Sequence, residues 1–132
     1  MKTEKIITEL LEQMTLDEKI GMVHGNGLFQ NKGVERLGIP SMKFSDGPMG
    51  VRNEFQNDKW IPLGNTDDYV SYLPSNSAIA STWDVDVAYE VGKVLGAEAR
   101  GRGKDMILAP GINIMRTPLC GRSFEYMGED PY

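Results

Sequence analysis

The stretch FSDGPMGVR, residues 44 to 52, sets a single carboxylate, Asp46, between a short apolar run and a Gly-Pro turn. If the residues before it form a strand, Asp46 stands at the strand's carboxyl end, where α/β folds bind ligands, and Gly-Pro leads the chain away from it. The competing use is local: an aspartate that hydrogen-bonds only its own turn backbone. A second concentration of chemical groups is NIMRTPLCGRSFEYMGEDPY, 113 to 132, with Arg116, Cys120, Arg122, Phe124, Tyr126 and the acids Glu125, Glu129 and Asp130. Arg122 offers a planar fork of donors suited to ligand hydroxyls, and Phe124 or Tyr126 an apolar face on which a sugar ring stacks. Its competing use is a pair with Glu125 or Asp130 that only braces the loop.

Other groups carry weaker signals. Asp67 and Asp68, like Glu129 and Asp130, are adjacent carboxylates whose side chains diverge, so neither pair is expected to do catalysis. His24 is the only histidine and makes no recognised metal-ligand spacing with Cys120, so it is expected to pack or hydrogen-bond beside a helix. The GNG and GRG tripeptides lack the full glycine pattern of a dinucleotide loop. Trp60 and Trp83 are further stacking candidates, although Trp83 directly precedes a helix cap and is expected to be structural.

The elements that must position these groups follow from periodicity. Ile6, Ile7, Leu10, Leu11 and Met14 share one helical face. Thr15 with Glu18 reads as a capping box, so a second helix should start at Leu16 and end by Gly25. Met42 to Phe44 reads as a short strand, and Ser77 to Ser81 as another. Asp84 should cap a longer helix with a stripe of Val87, Ala88, Val91, Leu95 and Ala99, supported by a Glu98–Arg102 pair and stopped at Gly101 and Gly103. Met106 to Ala109 should be a strand buried on both faces. Helix, strand, strand, helix, strand in this order implies an α/β fold with a largely parallel sheet.

Composition narrows the class. The chain has 132 residues, 40% hydrophobic and 25% charged, with net charge −5, which argues against a nucleic-acid surface. No run approaches the roughly 18 to 20 apolar residues of a membrane span. Cys120 is the only cysteine, which excludes an intrachain disulfide, and the charged amino terminus is unlike a signal sequence, so a cytoplasmic setting is expected.

Four segments in register resemble the family 3 glycoside hydrolases, particularly their β-glucosidase branch: LLEQMTLDEKIGMV, FSDGPMGVR, LPSNSAIASTWD and GRGKDMILAPGINIMRTPLCGRSFEYMGEDPY. The resemblance implies the N-terminal portion of a (β/α)8 barrel, with residues 1 to 132 forming the first part of a single barrel domain that takes about 250 residues. It implies a retaining β-glycosidase acting on terminal non-reducing β-D-glucosyl residues. It also implies that Asp46 and Arg122 bind sugar hydroxyls, and that neither is the nucleophile. The family's Lys-His pair, its nucleophilic aspartate and its general acid have no counterpart here, so no catalytic residue is assigned to this chain. No cofactor and no metal are implied; the partner is a β-glucoside or oligosaccharide. The alternative is a non-catalytic carbohydrate-binding or interaction module.

Three strands of an unclosed barrel leave edges that recruit other chains. Residues 1 to 132 expressed alone are therefore predicted to self-associate or to stay molten. Size-exclusion chromatography with light scattering and a thermal melt checks this, and a monodisperse monomer with a sharp cooperative melt contradicts it.

Overall fold

The structure, a computed structural model, describes residues 2–52 and 70–130. Helix α1 is Lys2–Gln13 and α2 is Leu16–Val23. They are separated by the expected capping box: the Thr15 side chain accepts from the Glu18 N–H at 3.3 Å, and the Glu18 carboxylate accepts from the Thr15 N–H at 2.8 Å. Arg36 reinforces the joint, donating through Nε and Nη2 to the two Glu18 oxygens at 2.6 and 2.5 Å and through Nη2 to the Gln13 carbonyl at 2.7 Å. The apolar faces of both helices lack a cover among the described residues. Ile6, Ile7 and Leu11 are about half exposed, and Val23 is 85% exposed, whereas Met14 at the joint is buried.

Strand β1 is Phe44–Ser45 and β2 is Met106–Ile107, paired in parallel with Phe44 opposite Met106 and Ser45 opposite Ile107. Asp105 locks the entry to both strands. Its carboxylate accepts from the Lys43 N–H at 2.9 Å and from Arg100 at 3.3 Å, while its own N–H reaches the Lys43 carbonyl at 2.8 Å.

Between the strands, Ser75 caps a one-turn helix, α3, Asn76–Ala80, where a strand was expected. The Ser75 hydroxyl accepts from the Ala78 N–H at 3.2 Å. This cap offers the backbone a helical start, and five residues are too few for periodicity to distinguish helix from strand. The described sheet therefore has two strands, not three.

Helix α4, Val85–Gly101, begins as expected at Asp84, whose carboxylate accepts from the Asp86 and Val87 N–H groups at 2.9 and 3.3 Å. Its Leu95 and Ala99 pack with Val51 into the core, flanked by Leu73, Val91 and Ile107. The expected Glu98–Arg102 side-chain pair does not form. The Glu98 carboxylate instead accepts from the Ser71 hydroxyl at 2.7 Å and the Ser71 N–H at 3.1 Å, while the Arg102 guanidinium reaches the Glu98 carbonyl at 3.4 Å. Strand β2 also departs from expectation: Met106 and Leu108 are each 47% exposed, because α4 covers one side and no described element covers the other. No helix among the described residues is long and apolar enough to cross a membrane.

The Arg36 bonds, followed by the bond from the Thr15 N–H, hold the Glu18 carboxyl at about 2 instead of its usual 4.5. Because the folded value lies below the unfolded one, the stability this contributes is present above pH 4.5 and is lost as the pH falls toward 2. A carboxyl titration by NMR should give Glu18 a midpoint near 2 that rises toward the ordinary carboxylate range in Arg36→Ala, held partly down by the remaining Thr15 bond. An unmoved midpoint would rule out Arg36 as the cause.

Candidate functional site

Asp46 follows β1 directly and is half-buried at the carboxyl end of the sheet. Ser45, 2% exposed, shapes the turn that presents it: its hydroxyl donates to the Asp46 carbonyl at 3.0 Å and accepts from the Arg52 N–H at 3.4 Å. Gly47 is required in this turn. Its φ is +120°, and a Cβ there would overlap the Gly50 carbonyl oxygen. One Asp46 carboxylate oxygen accepts from the Gly47 N–H at 3.0 Å; the other accepts no hydrogen bond among the described residues. Asp46 thus combines the local turn bond with an oxygen left for another donor.

The segment after β2 leaves the same edge of the sheet. It passes a cis Ala109–Pro110 bond and folds back so that the Met127 N–H reaches the Gly111 carbonyl at 3.2 Å and the Met115 N–H the Gly128 carbonyl at 3.0 Å. Within it, Arg122 immediately precedes a short 3-10 turn, Ser123–Glu125, and its Nε donates to the Glu125 carboxylate. The bracing pair with Glu125 is thus present, and Asp130 is not the partner. Among the described residues the Arg122 side chain has no other hydrogen bond, and it remains 71% exposed. The Glu125 bond raises its pKa above the usual arginine value, with Glu125, Tyr126 and then Asp46 adding electrostatic attraction. The two expected site residues lie on segments that follow parallel strands and so leave the same edge of the sheet.

The remaining candidates scatter. Phe124 is 57% exposed beside Arg122 and Tyr126 is half-buried. His24 is exposed after α2, with a ring nitrogen 2.7 Å from the Gly25 carbonyl, and Cys120 is exposed. Trp83 is not structural among the described residues: it is 95% exposed at φ +55°, because no neighbouring element covers the start of α4. It lines a cavity of about 490 Å³ with Ile112, Glu129 and Asp130. No group of three or more His, Cys, Asp or Glu side chains among the described residues is placed to hold a metal ion. Trp60, Asp67 and Asp68 lie outside the described residues.

Sequence reading missed two buried polar residues that organise the site, Asn76 and Glu125. Asn76 lies just ahead of the expected Ser77–Ser81 strand and carries no signal in that reading, although Ser75, three residues ahead of Ala78, is a capping signal. Glu125 was visible only as one possible brace.

The sequence profile described as the glycosyl hydrolase family 3 N terminal domain matches residues 26–132. A β-glucosidase of Bacteroides ovatus is 45% identical over 126 residues, 96% of this chain and 17% of that protein. Thermostable β-glucosidase B of Acetivibrio thermocellus is 41% identical over 96% of this chain and 17% of its own length. The solved β-glucosidase 3B of Thermotoga neapolitana in complex with glucose superposes with a TM-score of 0.81 at 37% identity, over 96% of this chain and 19% of that one. The chain belongs to glycoside hydrolase family 3, and its relatives by sequence and structure are β-glucosidases. It spans about one sixth of the length of the curated relatives it matches, 17% of these two.

Strain at Gly47 gives a direct check on the Asp46 turn. Gly47→Ala should cost roughly 1–3 kcal/mol locally and speed exchange of the Arg52 and Leu73 amides by about tenfold or more. Gly92→Ala on the open face of α4, where an added Cβ meets nothing, should not do so. Hydrogen exchange read by mass spectrometry distinguishes them, and equal protection in both variants would contradict the constrained turn.

Proposed function

We propose that this chain is the sugar-holding portion of a retaining β-glucosidase that acts on terminal non-reducing β-D-glucosyl residues. In this reading residues 1 to 132 are the first part of a (β/α)8 barrel, and Asp46 and Arg122 bind the hydroxyls of the sugar being released. The observation that carries it is that Asp46 stands at the carboxyl end of β1 while the segment bearing Arg122 leaves the carboxyl end of β2, its parallel partner, so both start from one edge of the sheet. The glucose named in the complexes of the Thermotoga neapolitana and Kluyveromyces marxianus β-glucosidases supports the choice of sugar.

The chemistry follows from the two groups. A sugar hydroxyl both donates and accepts, so a carboxylate oxygen and guanidinium N–H groups satisfy it from two sides with charge-assisted bonds. Held this way, the ring is fixed while two carboxyl groups, which this chain does not supply, act on the glycosidic bond. One attacks the anomeric carbon to form a glycosyl-enzyme; the other protonates the leaving oxygen and then activates water. Asp46 and Arg122 contribute to rate to the extent that their bonds tighten as positive charge develops on the ring.

The test uses a full-length protein in which this chain replaces the matching segment of the Thermotoga neapolitana β-glucosidase 3B. It should hydrolyse an aryl β-glucoside, and a folded but inactive chimera overturns the reading. Asp46→Ala should lower kcat/KM by roughly 10-fold to 100-fold, the worth of a lost hydrogen bond to a charged group. Arg122→Lys should fail to restore wild-type kcat/KM, because lysine keeps the charge and loses the planar fork. A change within twofold for Asp46→Ala removes its role.

A further inference from the structure

Arg36 and Arg122 are held in different ways. Arg36 uses both Nε and Nη2 on Glu18 and adds the Gln13 carbonyl, so its charge is consumed in joining two helices. Arg122 is held through Nε alone, by a carboxylate whose side chain is 11% exposed, while its own side chain is 71% exposed. One edge of the guanidinium is clamped and the outer amines are presented.

The clamp has its own support. The Asn76 side chain, 2% exposed at the start of α3, donates through Nδ2 to the Glu125 carbonyl at 2.6 Å. Gly111 packs against the same bond, where a Cβ would collide with that carbonyl and crowd the Asn76 amide. The Glu125 N–H closes the turn onto the Arg122 carbonyl at 3.1 Å. Backbone and side chain of Glu125 are thus both held, from α3, from the segment after β2 and from Arg122 itself. A carboxylate is costly to bury unless it is paired, and the partner of this one is the exposed Arg122 guanidinium.

We propose that Glu125, held by Asn76, is a positioning residue that sets the orientation in which Arg122 presents its outer amines to the sugar. The inference rests on the sugar-binding reading of Arg122 given above. The Nε bond fixes the plane of the guanidinium, and the electrostatic attraction of Glu125 for Arg122 keeps the long side chain from relaxing into solvent. Released from that bond, Arg122 would keep its charge and lose its direction.

A double-mutant cycle in the full-length chimera tests this, combining Glu125→Gln with Arg122→Ala and following aryl β-glucoside hydrolysis, with melting temperature recorded for each variant. Glutamine preserves volume, so the fold is retained, while loss of the carboxylate charge turns the charge-assisted bond to Arg122 Nε into a weaker neutral one and removes its hold on the guanidinium. With Arg122 present, E125Q should lower kcat/KM on the order of tenfold to a hundredfold, the scale of a misplaced contact. In the Arg122→Ala background the same change should alter kcat/KM less than twofold, because nothing remains to be positioned. An equal loss in both backgrounds overturns the inference and makes Glu125 a structural residue only; a loss under twofold with Arg122 present also overturns it. If Arg122→Ala alone leaves kcat/KM within twofold, the sugar-binding reading of Arg122 fails, and the inference falls with it.

Discussion

Phe44 opposite Met106 and Ser45 opposite Ile107 are only two steps of parallel ladder, yet most of the described structure depends on them. A parallel pair sends both chains off the sheet at the same edge, so Asp46 and the segment beginning at Leu108 start side by side. The crossover between the strands ends in α4, whose Leu95 and Ala99 close against Val51 just beyond β1. Asp105 secures the opposite end, joining Lys43 to the base of β2. Without that register, the turn that carries Asp46 and the distant segment that carries Arg122 would have no reason to leave the same edge of the sheet.

Two turns then convert register into a candidate site. In the first, a buried serine hydroxyl serves as donor and acceptor at once, and a left-handed glycine folds the backbone too tightly for any side chain. In the second, a buried glutamate is anchored through its backbone by an asparagine amide from α3. Both devices spend buried polar groups on geometry, and each is satisfied by partners drawn from separate parts of the chain. This is how the turns that carry half-buried Asp46 and exposed Arg122 are fixed without a large hydrophobic surround.

The same chain leaves much apolar surface open. The outer faces of α1 and α2, the start of α4 at Trp83, and β2 at Met106 are all uncovered among the described residues. The relatives are several times longer, with this chain matching 17% of the curated proteins and 19% of the Thermotoga neapolitana structure. Amphipathic patterns in the sequence state which faces want cover; they do not state what covers them.

What the residues determined alone was local. The Thr15–Glu18 capping box and the Asp84 cap were legible because each is completed within three residues. The α4 stripe and its glycine stop were legible because seventeen residues give helical periodicity room to show. The strand-end place of Asp46 was legible because Gly and Pro punctuate the chain there. Tertiary structure decided the rest. Ser75 to Ala80 is too short for periodicity to choose a state, so its cap and its contact with Glu125 chose helix. Glu98 turned to Ser71 instead of Arg102 because the crossover brought a hydroxyl and an amide to it. Whether Arg122 braced its loop or presented a charge was undecidable from spacing; the fold has it do both, because a buried carboxylate takes one edge of the guanidinium and leaves the other outward.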